Sequence, residues 1–373
     1  MSVSVLNIYR TYFPDPQGGL QEAIRQICLS TSKLNARNRI FTLSPQPHPQ
    51  DLQFPEASVT RRRSWAAPGS CDLGDPRALV KFSQMAGSAD VLHYFYPWPF
   101  ADVMHAICRP KAPPVMTYIS DIVRQQLLGK LYQPLMHYML NQMKFVVVNA
   151  PNYVDSSPIL KQPEIKRKIR VIPLGIDESS YPSVADSSII SKLSIAWDEP
   201  FFLFIGVLRY YKGLHFLIEA AKKLKVKVVI VGTGPEKQRL KNLTNSEGIR
   251  NVVFAGHVSD AQKLALIRKC IALVLPSHLR SEAYGMVLVE AAMCSKAMIS
   301  CELGTGTSYV NQNQVTGLVV PAGAPESLFC AMSALLDDPA MTQAFGQAAR
   351  NRYEQYFSGP AMGSAYAQLY RDC

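Results

Sequence analysis

The stretch FFLFIGVLRYYKGLHFLIEAAKKLKVKVVIV, residues 201–231, decides the fold. Phe201–Ile205 is a short run of large apolar residues, and Lys227–Val231 is a second, β-branched run. Between them Phe216–Leu224 places apolar residues at helical spacing. Strand, helix and strand in one short stretch make a βαβ unit, so the two strands lie parallel. A strand that is apolar throughout, such as Val228–Val231, suits a sheet covered on both faces. The loop after the first strand carries Arg209 and Lys212 between Gly206 and Gly213. It lies at the carboxyl end of its strand, where open α/β sheets bind ligands. A guanidinium fork beside a mobile ammonium suits a diphosphate, while a solvated charged loop is the blander reading.

The same alternation runs outward in both directions. Towards the N-terminus, Val3–Tyr9, Ile40–Leu43, Val91–Tyr96, Pro114–Tyr118, Phe145–Asn149 and Ile169–Ile172 read as strands. Towards the C-terminus, Val252–Phe254, Ala272–Leu275, Ala297–Ser300 and Leu318–Val319 follow. Between Pro173 and Pro200 the chain turns to Pro, Gly, Asp and Ser, which is linker chemistry. The expectation is an α/β protein of two doubly wound, Rossmann-like domains, residues 1–174 and 175–356. A final helix, 357–373, is expected to return to the first domain. Two such domains would face one another across a cleft that holds the ligand. Residues 44–80, with six prolines and the run Arg61–Arg63, read as a long irregular insertion at the edge of the first domain.

Composition narrows the class. The chain has 373 residues, 48% apolar and 18% charged, which is globular and excludes disorder. No apolar run approaches the ~20 residues of a membrane span. Met1–Arg10 is too short and polar for the apolar core of a signal peptide, so a cytoplasmic location is expected. The net charge is +11. Residues 1–180 hold 20 basic and 13 acidic side chains, a balance of +7, and the remainder holds 19 and 15, a balance of +4. Such a bias favours anionic partners: nucleotide phosphates, lipid head groups or nucleic acid. The eight cysteines form no C-x-x-C pair and read as inert thiols of a reducing compartment. The histidines show no metal-ligand spacing.

Two further motifs carry chemistry. Pro14-Asp15-Pro16-Gln17-Gly18-Gly19 lies between a strand and the helical pattern Leu20–Lys33. Paired glycines admit a ligand close to the backbone, and a helix N-terminus offers free N–H groups to an anion. Plain turn glycines are the alternative. The second motif is Ser281-Glu282-Ala283-Tyr284-Gly285-Met286-Val287-Leu288-Val289-Glu290, with two glutamates eight positions apart. Eight helical residues rise ~12 Å, enough for one carboxylate to hold a sugar and the other a ribose. A solvated glutamate pair is again the alternative.

Taken in order, the Gly-Gly loop, the Gly…Lys-Gly loop and the Glu-x7-Glu block resemble retaining glycosyltransferases of family 4, of GT-B fold. The resemblance covers nearly the whole chain. Thr117–Gln125 and Gly304–Asn311 narrow it to bacterial mannosyl- and D-rhamnosyltransferases of lipopolysaccharide O-chain assembly. What it implies is transfer of a sugar from a nucleoside diphosphate with retention, without a protein nucleophile. The departing phosphate then helps to deprotonate the acceptor on the same face. By resemblance Glu290 holds the donor ribose. Glu282, Tyr284 and the backbone of Gly285, Met286 and Val287 hold the sugar. Lys212 and Arg209 neutralise the leaving diphosphate, and Gly18 and Gly19 close over the donor. His93 resembles a recurrent family position and is a candidate donor or acceptor contact, with a structural histidine as the alternative. Read from its place at a helix start beside Ile119, Asp121 could orient an acceptor hydroxyl, with a plain N-terminal helix charge as the alternative.

Two positions depart from the family pattern. Val207 stands where an arginine usually follows the loop glycine, and Arg209 lies two residues later. Ile119 stands where relatives often carry a histidine thought to touch the donor C6 hydroxyl. An apolar residue there suits a donor whose C6 is a methyl group, so GDP-D-rhamnose is expected, with GDP-mannose and then a UDP-sugar as alternatives. No Asp-x-Asp occurs, so no essential metal is expected, and with a nucleotide sugar as substrate no cofactor is expected. Gln125–Lys144, rich in Leu, Met and Tyr, suits a helix resting on the anionic inner-membrane surface, near a lipid-linked saccharide acceptor. A core helix is the alternative. A nicotinamide oxidoreductase lacks its third glycine after Gly232-Thr233-Gly234. A nucleic-acid-binding protein is disfavoured by scattered basic residues. A phosphorylase of the same fold lacks a clear pyridoxal-phosphate lysine.

Overall fold

The computed structural model describes residues 2–15, 18–67, 72–119 and 126–373, with the backbone alone over 126–131. The chain divides into two compact units. One is Met1–Gly175 together with Gly359–Cys373, and the other is Ile176–Ser358.

The first unit is built on a sheet of nine strands. In chain order they are β1 Val3–Ile8, β2 Ala36–Ser44, β3 Asp51–Gln53, β4 Ser58–Ala66, β5 Leu73–Gly74, β6 Val91–Tyr96, β7 Pro114–Tyr118, β8 Phe145–Val148 and β9 Ile169–Val171. Their spatial order is β3-β4-β2-β1-β6-β7-β8-β9, with β5 paired to β4. All neighbours are parallel except β3–β4 and β4–β5. β6 is buried at every position, as a central parallel strand with helices on both faces must be.

Residues 44–80 correct the sequence expectation. They are not an irregular insertion, since β4 extends the parallel sheet from β2, with Leu43 opposite Arg62. The three arginines hid a strand that is buried over its first half and exposed over its second. The helix Gln126–Gln142 takes the core alternative. Met136, Met139 and Leu140, with Met143 just beyond, join the core that holds Leu6, Phe41 and Tyr94. That apolar face is therefore committed to the interior, and among the described side chains Gln133, Tyr138, Asn141 and Gln142 are exposed. The terminal helix Gly359–Arg371 belongs to this unit and packs on helix Gly19–Ser32.

The second unit carries β10 Phe201–Ile205, β11 Lys227–Val231, β12 Val252–Gly256, β13 Ala272–Leu275, β14 Ala297–Glu302 and β15 Gly317–Pro321. Its sheet is wholly parallel, in the order β12-β11-β10-β13-β14-β15. Strand order reverses between β10 and β13, where Leu203 lies opposite Leu273. The loops that leave these two strands therefore border the crevice in which doubly wound sheets bind ligands.

Candidate active site

In the second unit the site starts at that reversal. The loop after β10 closes through Gly213, whose φ is +68°. A Cβ there would stand 2.0 Å from the Pro276 carbonyl oxygen, at the end of β13. Only glycine lets the two loops touch so closely. The His278 N–H then donates to the Tyr211 carbonyl at 3.0 Å and joins the loops through their backbones.

This contact places Lys212 against Glu282, which is only 7% exposed. Lys212 Nζ donates to Glu282 Oε2, and Ser277 Oγ donates to the same oxygen at 2.8 Å. Burial opposes the Lys212 charge, but the Glu282 carboxylate and the Tyr211 hydroxyl outweigh it and hold its pKa above the ordinary lysine value. Glu282 Oε1 takes no hydrogen bond among the described residues. Arg209 lies exposed on the same loop, with no ion-pair partner among the described residues. It is close enough that its charge acts against that of Lys212.

The loop that carries Glu282 is clamped from β14. Thr305 Oγ1 donates to the Glu282 carbonyl at 2.8 Å, and the Gly306 N–H donates to the Ala283 carbonyl at 2.9 Å. Arg280 reaches the Leu303 and Gly304 carbonyls, each at 3.1 Å. Tyr284, expected at the donor, is buried and packs against Gly306, so its side chain fixes the loop. Gly285, with φ +82°, caps helix Met286–Met293 without a side-chain hydrogen bond. A Cβ on it would meet Leu275 at 2.9 Å. Met286 and Val287 are half-buried in the first turn, whose N–H groups have no side-chain cap.

Glu290 follows on that helix. Its Oε1 accepts from Lys263 Nζ at 2.8 Å and from the Tyr181 hydroxyl, while Oε2 takes no hydrogen bond among the described residues. The two glutamates thus share one arrangement: one oxygen is filled by a lysine and a hydroxyl, and the other is left open. Sequence reasoning missed Ser277, Lys263 and Tyr181. Ser277, just past the end of β13, was within reach of the strand-end rule. Lys263 and Tyr181 lie 27 and 109 positions from Glu290 and carry no local signal.

The remaining candidates belong to the first unit. Gly18 is the extended N-cap of helix Gly19–Ser32, with no side-chain hydrogen bond to the first turn. Neither Gly18 nor Gly19 has a positive φ, and a Cβ on Gly19 would meet nothing within 4 Å. The fold of this unit therefore does not require glycine there. Ile119 is half-buried just past β7, and its N–H donates to the Tyr96 carbonyl at 3.2 Å. Asp121 lies outside the described residues.

His93 is corrected. It is wholly buried in β6, with Nδ1 on the Tyr370 hydroxyl at 2.8 Å and Nε2 on Thr117 Oγ1 at 2.7 Å. Both ring nitrogens are engaged, and burial pushes the ring's pKa down to about 3. His93 is a neutral tie between the sheet and the terminal helix, not a donor contact. Among the described residues no cluster of His, Cys, Asp and Glu could hold a metal ion, and no helix is long and apolar enough to cross a membrane.

Two family models cover most of the chain. One for glycosyl transferases group 1 matches residues 186–352, and one for a glycosyl transferase 4-like domain matches residues 18–175. The chain is 41% identical over 358 residues to D-rhamnosyltransferase WbpZ of Pseudomonas aeruginosa, covering 95% of this chain and 92% of the relative. It is 37% identical over 366 residues to O-antigen chain mannosyltransferase C of Escherichia coli, covering 98% and 97%. Among solved structures, the sucrose-phosphate synthase of Thermosynechococcus elongatus superimposes with a TM-score of 0.81 at 21% identity, over 99% of this chain and 98% of that one. Anabaena HepE, solved with UDP and glucose, gives 0.77 at 18% identity over the whole of both chains. At these identities the two structures bear on the fold alone.

Proposed function

Because the chain belongs to the GT-B glycosyltransferases of family 4, alongside O-chain enzymes, we propose that it moves mannose or D-rhamnose from a GDP-sugar to a lipid-linked saccharide, with retention, at the inner-membrane surface. The observation that carries this reading is the matched pair of carboxylates. Glu282 and Glu290 are both buried, each has one oxygen held by a lysine and a hydroxyl, and each has one oxygen open. An open carboxylate oxygen accepts hydrogen bonds from sugar hydroxyls.

The chemistry follows from the charges. Cleavage of the sugar–phosphate bond leaves negative charge on the diphosphate. Lys212 and the exposed Arg209 are the cations that can take it up, and the uncapped helix at Gly285 adds backbone N–H groups nearby. Lys212 must then be shared between Glu282 and the phosphate, so donor binding competes with the Lys212–Glu282 ion pair. Ser277 keeps Glu282 oriented while it does so. The protein contributes charge stabilisation and positioning, with no covalent intermediate on a side chain. Ile119 favours D-rhamnose, because its apolar side chain packs on a C6 methyl and cannot bond a C6 hydroxyl. The basic excess of residues 1–180 supports contact with an anionic bilayer.

The test is transfer to a synthetic lipid-linked GlcNAc diphosphate in EDTA, from GDP-D-rhamnose, GDP-mannose, UDP-glucose and UDP-GlcNAc. Transfer from GDP-D-rhamnose in preference to the others supports the reading in full. A preference for GDP-mannose removes the Ile119 argument. Transfer from a UDP-sugar alone removes the guanine assignment. Activity lost in EDTA and restored by magnesium contradicts metal independence.

A further inference from the structure

Glu290 owes its arrangement to two side chains distant from it in sequence. Lys263 comes from helix Asp260–Lys269, whose start is fixed by a reciprocal capping box between Ser259 and Gln262. Tyr181 comes from the linker that follows Asp177. Both donate to Oε1 of Glu290. Lys263 is itself held: its Nζ lies 2.9 Å from Asp260 Oδ1 and 4.9 Å from the centroid of the Tyr181 ring. Burial works against its charge, yet Glu290 and Asp260 keep its pKa above the ordinary lysine value. Glu290 is only 8% exposed, and a carboxylate so buried needs its oxygens hydrogen-bonded and a cation beside it.

The geometry points to Lys263 and Tyr181 as positioning residues for nucleotide binding. They fill Oε1 of Glu290 and fix the carboxylate's orientation, so that Oε2 is the acceptor left for a ribose hydroxyl. This inference rests on the reading of Glu290 as the ribose grip. Neither residue need touch the nucleotide; each acts through the carboxylate.

The test is calorimetric binding of GDP and of 2′,3′-dideoxy-GDP to wild type, Lys263→Met, Lys263→Arg and Tyr181→Phe. Tyr181→Phe keeps the ring and removes only the hydroxyl, so it leaves packing intact. Wild type is expected to prefer GDP by about tenfold, the factor for one hydrogen bond to a charged group. Lys263→Met is expected to weaken GDP binding by about tenfold and Tyr181→Phe by roughly threefold. Both leave dideoxy-GDP binding unchanged, and Lys263→Arg recovers part of the loss. In turnover the donor KM rises and kcat stays within about twofold. Equal losses with both nucleotides would overturn the positioning role and indicate a direct phosphate contact. An undiminished GDP preference in the variants would overturn it as well. A wild type indifferent to the ribose hydroxyls would overturn the ribose assignment itself, and this inference with it.

Discussion

Lys212 Nζ and Ser277 Oγ meet on a single oxygen of Glu282, Oε2, across the point where the strand order of the second sheet reverses. The ammonium that would face a leaving diphosphate is thus paired with the carboxylate that would hold the sugar.

Lys212→Met should therefore act on the chemical step. We expect kcat to fall about 10²- to 10³-fold, the usual effect of removing one preorganised charge from a transition state. Glu282 keeps Ser277 but loses its counter-charge, so the variant should also melt lower than wild type; thermal melting with steady-state kinetics separates the two effects. A variant with normal kcat and only a raised donor KM would show that Lys212 serves ground-state binding.

Gly213→Ala tests how the two loops are joined. The positive φ and the 2.0 Å approach to Pro276 leave no room for a methyl group. The backbone cost alone is ~1–2 kcal/mol, and displacing the loop after β13 adds to it. We expect a lower melting temperature and loss of nucleotide binding. A stable variant that binds GDP normally would show that the loops can separate without consequence.

Arg61 gives a prediction for the first unit. Its guanidinium Nη2 lies 3.1 Å from Asp15 Oδ2 and 2.7 Å from Ser44 Oγ, with side-chain exposures of 4% for Arg61 and 9% for Asp15. The pair ties the loop before Gly18 to β4. Arg61→Met leaves Asp15 buried without a counter-charge, which costs about 3–5 kcal/mol. Adding Asp15→Asn should recover much of that loss. Urea unfolding of the single and double variants measures it.

His93 predicts a pH dependence. Its folded pKa of about 3 lies below the unfolded value of ~6.5. Below pH ~6.5 the unfolded chain binds a proton that the native chain does not. Stability contributed by the neutral ring is therefore complete above pH ~6.5 and is lost as pH falls towards 3, by at most ~1.4 kcal/mol per pH unit. His93→Phe should be less stable than wild type at pH 7.5, with a shallower decline between pH 6.5 and 5. Its donor KM should stay within about twofold of wild type. A large KM change at unaltered stability would restore His93 to the donor site.

The architecture was legible because parallel strands buried on both faces read as continuous apolar runs, and Val228–Val231 and Phe145–Val148 are such runs. β4 was not legible. Its arginines are partnered through the fold, Arg61 by Asp15 and Arg62 by Gln50, which no local pattern reveals. Glu282, Glu290 and Lys212 could be singled out by spacing. Their partners could not, because Ser277, Lys263 and Tyr181 arrive by tertiary packing. The donor role of His93 failed for the same reason: Tyr370, 277 positions away, occupies its ring nitrogen.

The most direct measurement is the anomeric configuration of the product formed from GDP-D-rhamnose or GDP-mannose, read by NMR from the coupling at the anomeric centre. Charge stabilisation of a departing diphosphate, with attack on the same face, predicts a product of the same configuration as the donor. An inverted product would contradict the account, since it needs a general base on the opposite face of the sugar.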